Sequence, residues 1–312
     1  VHQQAGGLVH GQQLGIAVDD LKRMGHGVVT AKRLSRTAVI MSVDAGLPGR
    51  SDRLGSLHHD TDLQRRIPLA LRTASLDCPR RPLCDAVTEH AGGRSLLETL
   101  ARLHTRYWNA NASNTALGWM GNALDGSVAT LLNDAAAPYI QYEIDTQKFK
   151  NELVGMLGWT GEELRAGTKA MHRHQMRLDQ CVVHGDTHLG NTYFLPDGRS
   201  GLVDWQLMGR GHPMHDVSYI ISTALSIADR RVHEQALLQY YLDQLAASGA
   251  ANPPSFDDSW DEYRRSMVWN VYVGWLTTPV VNYGWEINVM NHLRLVTAFE
   301  DLDTGKLVRA VM

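Results

Sequence analysis

Residues 182–206 read Val-Val-His-Gly-Asp-Thr-His-Leu-Gly-Asn-Thr-Tyr-Phe-Leu-Pro-Asp-Gly-Arg-Ser-Gly-Leu-Val-Asp-Trp-Gln. The apolar pair Val182-Val183 leads into a polar loop, His184 to Asn191. Two short apolar runs follow, 193–195 and 201–203, with Pro196-Asp197-Gly198 between them. Pro presets φ and Gly supplies a positive φ, so this tripeptide predicts a tight turn between two strands. A hairpin of this kind returns its far end beside its near end. It is expected to bring Asp204 back towards Asp186 and Asn191.

Those three groups suit phosphoryl transfer. The reaction needs a carboxylate to take a hydroxyl proton, and oxygen ligands that hold Mg²⁺ against nucleotide phosphates. Asp186 and Asn191 keep the D-x-x-x-x-N spacing of the protein-kinase catalytic loop, and Asp204 falls where the metal-binding Asp of D-F-G would stand. The pattern H-G-D-x-H-x-G-N followed by D-W-Q resembles the aminoglycoside phosphotransferase and choline kinase-like superfamily, closest to its ecdysteroid-kinase-like branch. The resemblance implies Asp186 as catalytic base, Asn191 and Asp204 as Mg²⁺ ligands, and His184 as a packing residue that braces the loop. Gly185 and Gly190 are expected to let the backbone turn tightly beside Asp186 and Asn191. For His188 two readings stay open: contact with substrate or phosphate, and a bond to loop backbone.

The chain has 312 residues, 44% of them hydrophobic, enough for one large or two smaller domains. No apolar run is long enough to suggest a membrane span. No charged-then-apolar leader is present, and the three cysteines, Cys78, Cys84 and Cys181, lack zinc-type pairing. A cytoplasmic protein with free thiols is the expectation. A formal charge of −3 gives no case for nucleic acid. The charge is uneven: residues 1–106 carry 15 Lys/Arg against 10 Asp/Glu, and the remainder 15 against 23.

None of the 22 aromatic residues precedes Tyr107, where about seven would be expected in a segment with an ordinary core. Three readings of residues 1–106 stand: a small lobe built on Val, Leu and Ile, a degenerate lobe, and the translation of a shifted frame. The superfamily places an ATP-binding lobe here. Gly25 and Gly27 offer a Gly-rich turn entering a strand, which a lone G-x-G supports weakly. Residues 37–41 resemble the strand that ends in a phosphate-binding Lys, but Met41 stands where the Lys would be. Lys32 is the nearest substitute, with surface solvation as its simpler role. Residues 57–81 show no counterpart to the expected helix and hinge strand. His58-His59-Asp60-x-Asp62 reads as a solvated loop rather than a metal site.

The resemblance resumes at Arg94. Ser95 and Glu98 have capping-box spacing, and Leu96, Leu97, Leu100, Leu103, His104 and Tyr107 then recur at helical intervals. His104 is expected in the core. Further helices are predicted over 147–157, from the second capping box at Thr160-Glu163 through 164–178, over 217–225, 233–247, 257–276 and 286–299. His172 and His174 are expected on solvated positions. Asp216, at a helix start, suits a capping carboxylate. The resemblance adds a role in accepting hydrogen bonds from the catalytic-loop backbone. Arg210 and His212 are read as loop residues within reach of an anion or simply solvated. The aromatic stripe of Trp260, Tyr263, Trp269, Tyr272 and Trp275 reads as core with room for a bulky acceptor. Asp261 and Glu286 are candidate pocket acids with surface positions as the alternative.

The expected fold is therefore α+β and protein-kinase-like: a bilobal chain with a reduced or degenerate nucleotide lobe, residues 1–93, and a mainly helical lobe, residues 94–312, carrying the catalytic loop and acceptor pocket. The expected activity is transfer of the γ-phosphoryl of ATP or GTP, with Mg²⁺, to a hydroxyl on a small molecule. The rival is a kinase-like binding module without turnover, because the ATP-anchoring Lys is missing. A protein kinase fits less well, since no A-P-E segment follows Asp204.

Overall fold

The computed structural model describes residues 29–33, 39–43, 91–109, 117, 119–279 and 284–312. Two compact units divide the chain, Val1–Arg80 and Arg81–Met312. In the first, β1 (Val29–Arg33) and β2 (Val39–Val43) form an antiparallel pair, with Ala31 opposite Met41 and Lys32 opposite Ile40. β2 contains no Lys. Gly25, Gly27, residues 57–81, Cys78 and Cys84 lie outside the described residues.

The second unit is mainly helical. α1 (Ala91–Arg106) precedes a short helix, α2 (Ser127–Thr130), that runs into a π-helical turn, Leu131–Ala135. α3 (Ala137–Thr146), α4 (Lys148–Met156) and α5 (Gly161–Gln175) follow. The central segment holds four three-residue strands: β3 (Cys181–Val183), β4 (Thr192–Phe194), β5 (Ser200–Leu202) and β6 (Gly209–Gly211). β3 pairs with β6 and β4 with β5, both antiparallel. The chain ends with α6 (Met214–Ala224), α7 (Ile227–Ala247), α8 (Phe256–Trp269), a second π-helical turn (Asn270–Trp275), α9 (Trp285–Asp301) and α10 (Thr304–Arg309).

One core joins these helices. Leu96, Leu97 and Leu100 of α1 and Leu238, Tyr241 and Leu245 of α7 are buried in the same apolar cluster as Met267 and Val268 of α8. The helical spacing of these residues is what places them on inward faces. No described helix is long and apolar enough to cross a membrane.

Two capping expectations part ways. At α5 the box forms: the Thr160 N–H donates to Glu163 Oε2 at 2.7 Å, and the Glu163 N–H donates to Thr160 Oγ1 at 3.2 Å. At α1 it does not, because the helix starts at Ala91 and Ser95 lies inside it. Ser95 Oγ instead donates to Ser200 Oγ at 3.1 Å, joining α1 to the central hairpin. The predicted 257–276 helix also changes form, passing from α to π after Trp269.

Replacing Thr160 with Ala removes the acceptor for one of the orphan N–H groups of α5. The expected loss is about 1 kcal/mol, or roughly 2–4 °C in melting temperature for a unit of this size. A thermal melt followed by circular dichroism checks it.

Candidate active site

Asp204 returns beside the loop as the hairpin predicts. Leu195 N–H donates to Arg199 O at 2.7 Å and Gly198 N–H to Leu195 O at 3.0 Å, with Gly198 at φ +85°. The strands then bring Val203 back to the loop: its N–H donates to Asn191 O at 2.9 Å, and its carbonyl accepts from His184 Nε2 at 2.9 Å. Asp204 is the next residue, exposed and in the left-handed region at φ +64°. That conformation costs an Asp roughly 1 kcal/mol, so the flanking bonds hold it there.

Asn191 is buried and donates from Nδ2 to both Asp186 O, at 2.9 Å, and Asp186 Oδ2, at 3.0 Å. The amide thereby fixes the carboxylate and directs its own Oδ1 elsewhere. Burial pushes the Asp186 carboxyl above its ordinary value. The charges of His188 and His184 and the Asn191 bond oppose that push, and the nearby Asp204 charge adds to it. The two carboxylates therefore share one electrostatic neighbourhood.

His184 is fully buried. Its Nδ1 accepts from the Asp186 N–H at 3.2 Å, so Nε2 carries the proton that goes to Val203 O. Its ring meets Trp205 at 4.6 Å between centroids. One imidazole thus links the residue after Gly185 to the residue before Asp204. Of the two readings of His188, the structure shows the bond to loop backbone: Nδ1 accepts from the Gly190 N–H at 3.0 Å, while Nε2 faces Asp186 Oδ2 at 3.7 Å.

The loop is held from below by Asp216, which is fully buried. Its Oδ2 accepts from the His184 N–H at 2.7 Å and its Oδ1 from the Gly185 N–H at 2.9 Å. Its carbonyl accepts from Thr187 Oγ1 at 2.7 Å. The expected cap does not form: Pro213 is the N-cap of α6, no side chain caps it, and the Asp216 carboxylate turns to the loop. His104 contributes more than packing. Its Nε2–H donates to Asp216 Oδ2 at 3.2 Å, and its Nδ1 shares a hydrogen bond with the Tyr241 hydroxyl at 2.7 Å. Burial pushes the Asp216 carboxyl up, but the His104 bond and the charges of His104, His215 and His184 bring it to a net value below the ordinary one.

The two loop glycines serve different ends. Gly185 has φ +86°, and a Cβ there would lie 2.3 Å from Leu207 O. Gly190 has no positive φ; a Cβ there would meet His188 Cε1 at 2.7 Å, so it makes room for the ring rather than for a sharp turn.

A small cavity of about 120 Å³ opens at Asp186 and His188, walled by Tyr219, Trp269, Trp275 and Thr277 among others. The aromatic stripe of α8 is thus both core and wall. Lys150, unmarked by any motif, sets the position of that wall. It is fully buried, with Nζ 2.8 Å from Glu143 Oε2, 3.3 Å from Leu276 O and 2.8 Å from Thr278 O. Burial lowers its pKa, and Glu143 opposes the shift. Asp261 pairs with Arg264 and Arg265 instead of entering a pocket, and Glu286 is exposed. Arg210 Nε donates to Met120 O, and His212 is buried, with Nδ1 accepting from the Met214 N–H. His174 pairs with Glu262 at 3.0 Å, whereas His172, expected in solvent, is buried.

Among the described residues no three His, Cys, Asp or Glu side chains cluster as a metal cage. The donor set still fits Mg²⁺, which takes one or two carboxylates and completes its shell with water and phosphate oxygens. Asp204 and the Asn191 amide oxygen are hard oxygen donors of that kind.

Asp216→Asn keeps the shape but replaces an acceptor oxygen with an amino group facing N–H donors. The expected cost is roughly 3–5 kcal/mol in urea unfolding. Because the folded carboxyl lies below the ordinary Asp value, its contribution is complete above that value, about pH 4. It is lost as pH falls through the lower folded value. Wild type is therefore expected to lose stability from this group below about pH 4, and the Asn variant to show no such loss.

The phosphotransferase enzyme family (APH) matches residues 79–255. In structure the chain is similar to a choline kinase of Cryptosporidium parvum Iowa II, with 9% identity, a TM-score of 0.42 and coverage of 96% of this chain and 98% of that one. It is similar to a macrolide 2'-phosphotransferase type I, with 15% identity, a TM-score of 0.36 and coverage of 90% and 96%. It is also similar to a choline kinase of Streptococcus pneumoniae, with 17% identity, a TM-score of 0.29 and coverage of 58% and 66%. No curated protein sequence matches. The family match spans more than half of the chain and includes the whole loop from His184 to Asp216, so the protein belongs to the APH phosphotransferase family.

Proposed function

We propose that the protein transfers the γ-phosphoryl of ATP or GTP to a hydroxyl on a small molecule, with Asp186 as the general base and Asn191 and Asp204 as Mg²⁺ ligands. The observation that carries this is the anchored Asp186 carboxylate, held by the Asn191 amide at the edge of an aromatic-walled cavity. An acceptor hydroxyl in that cavity gives its proton to Asp186 as its oxygen attacks. Asn191 keeps the carboxylate from rotating away, and His188 Nε2 offers it a donor on the same side. His184 and Asp216 are supports: they fix the loop and the residue before Asp204 without touching substrate. Asn191 and Asp204 would hold Mg²⁺, which would supply charge neutralisation for the leaving diphosphate. On this reading residues 1–93 form the nucleotide lobe and residues 94–312 carry base and acceptor pocket, in a cytoplasmic enzyme. The ecdysteroid-kinase-like branch is our finer placement, supported by the H-G-D-x-H-x-G-N and D-W-Q residues alone.

A second reading has one observation in its favour, the lack of a Lys in β2. It makes the protein a kinase-like module that binds without turnover. A melting-temperature titration with Mg-ATP separates the two, since a ligand that binds the folded state raises it. A stabilising shift together with ADP release supports the enzyme.

Asp186→Ala is expected to lower turnover by about 10²–10⁴-fold, the range for a lost general base, in a protein that still melts cooperatively. Asp204→Ala is expected to abolish turnover as well and to weaken the Mg-ATP shift. Full activity in either variant sinks the assignment. The acidic limb of the kcat/KM profile should lie above the ordinary carboxylate range, because burial raises the Asp186 carboxyl. His188 lowers that value, so His188→Ala should move the limb to still higher pH.

A further inference from the structure

A second cavity, about 520 Å³, adjoins the one at Asp186: Leu132, Leu207 and Trp269 line both. Its volume lies in the range of small-molecule sites, whereas the Asp186 cavity alone holds little beyond the reacting end of an acceptor. Met120, Met176 and Met208 extend the apolar lining. Their flexible thioethers adapt to a flat ring. Asn191 and Asp204 are not among the lining residues, so this cavity lies apart from the groups proposed to hold Mg²⁺ against the nucleotide phosphates.

Two hydrogen-bond donors on the lining are unspent. Arg210 belongs to β6, and its backbone N–H donates to Gly121 O at 2.9 Å. Its Nε donates to Met120 O at 3.1 Å. These bonds fix the stem of a half-buried guanidinium whose two Nη groups have no partner among the described residues and are not sealed inside protein. The result is a preset fork that matches the two oxygens of a carboxylate. His212 also lines the cavity. It follows Arg210 by two residues, and on extended chain that spacing gives the same side. It is only 5% exposed. Its Nδ1 accepts from the Met214 N–H at 3.3 Å, which leaves the ring proton on Nε2. Burial lowers its pKa to about 3, so the ring is neutral and Nε2 is a donor. That N–H has no partner among the described residues either, and unlike the ring nitrogens of His172 it is not sealed inside protein. Asp125 lines the same cavity without an ion-pair partner among the described residues, but it is exposed. Water screens an exposed carboxylate more than a half-buried guanidinium, so an entering anion gains more from Arg210 than it loses to Asp125.

We propose that the larger cavity takes an acceptor whose far end is a carboxylate, gripped by the Arg210 fork and the His212 Nε2–H, with its ring on the apolar lining and its hydroxyl at Asp186. This deepens the function proposed above and rests on it only for where the hydroxyl sits. An ammonium in the same place would face two donors and a fixed positive charge, with only the screened Asp125 in its favour. The acceptor class is therefore a hydroxy acid with a ring between its two ends.

The probes are 4-(hydroxymethyl)benzoate and 6-(hydroxymethyl)-2-naphthoate, with the primary amide and the aminomethyl analogue of each as neutral and cationic controls. The first readout is the ring ¹⁵N signal of His212 in the wild-type protein, assigned by its loss in His212→Gln. A carboxylate is expected to shift it at saturation, and neither amine to do so. By calorimetry each carboxylate should bind roughly tenfold or more tightly than its amide, and that advantage should vanish in Arg210→Gln. Asp125→Asn is expected to raise carboxylate affinity by about twofold, since it removes an exposed opposing charge. Mg-ATP affinity should be unchanged in both variants. A loss of Mg-ATP affinity in Arg210→Gln would show that the anion met there is nucleotide phosphate, and would overturn the proposal. The wild-type signal and Asp125→Asn test the idea even where Arg210→Gln folds poorly. A ring signal that neither carboxylate moves overturns it, as does tighter binding of either amine than of its carboxylate. The Asp186→Ala protein should keep the ring shift. If that protein also keeps turnover, the catalytic reading fails while the anion site stands.

Discussion

Everything at the site depends on one buried anion. The Asp216 carboxylate sits at full burial and receives two consecutive backbone N–H groups, those of His184 and Gly185. Without that acceptor the two amides would face the protein interior unpaired, and the loop that carries Asp186 would have no fixed direction. The charge itself needs support, which comes from His104 and through it from Tyr241. The chain of bonds thus runs from α7 through α1 to α6 and ends one residue short of Asp186. It connects the helical core to the loop that carries Asp186 through a continuous series of hydrogen bonds. A parallel brace, the His184 ring, does the same between the loop and the strand that leads to Asp204.

Much of this was legible because the loop encodes its geometry locally. The Pro-Asp-Gly turn, the glycine beside Asp186 and the spacing of Asp186, Asn191 and Asp204 all act within about two dozen residues, where sequence order limits spatial arrangement. The Thr160-Glu163 box is local in the same way. What sequence hid was long-range. Ser95 has the spacing of a cap, but its helix starts earlier and the side chain goes to Ser200, more than a hundred positions away. Asp216 suits a cap by local spacing; only the family resemblance pointed to the loop backbone, and that tertiary contact is the one that forms. His104 gave only a helical period, which says that a side chain faces inward and nothing about its partner. Lys150 lies unmarked within the predicted 147–157 helix, and His172 is expected in solvent. A lysine or histidine in a polar-looking stretch carries no local mark of complete burial. For His172, the one available sign was its place among apolar neighbours Ala170 and Met171 on α5.

The pocket shows how one helix serves two purposes. Trp269 packs in the core and against His215 at 4.2 Å between centroids, and it also forms part of the partition between the two cavities. Its rigidity comes from that packing, so the wall is set by the fold and not by the molecule it encloses. Lys150 adds a polar constraint from the other side, holding the carbonyls of Leu276 and Thr278. Buried charge is poor material for stability but good material for fixing a position, since the bonds that satisfy it leave few alternatives.

The two π-helical turns, Leu131–Ala135 and Asn270–Trp275, each contain one residue more per turn than an α-helix would. Losing a single codon from either would let the segment relax to ordinary helix, with the flanking helices kept in register and only the side chains of the turn itself re-placed. Leu132 or Trp275 would then leave the cavity and a different side chain would take its place. Pocket shape in this chain is therefore open to abrupt change by in-frame deletion, with the helices, the buried Asp216 chain and the loop left intact, so that relatives of nearly identical scaffold can diverge in the molecules they accept.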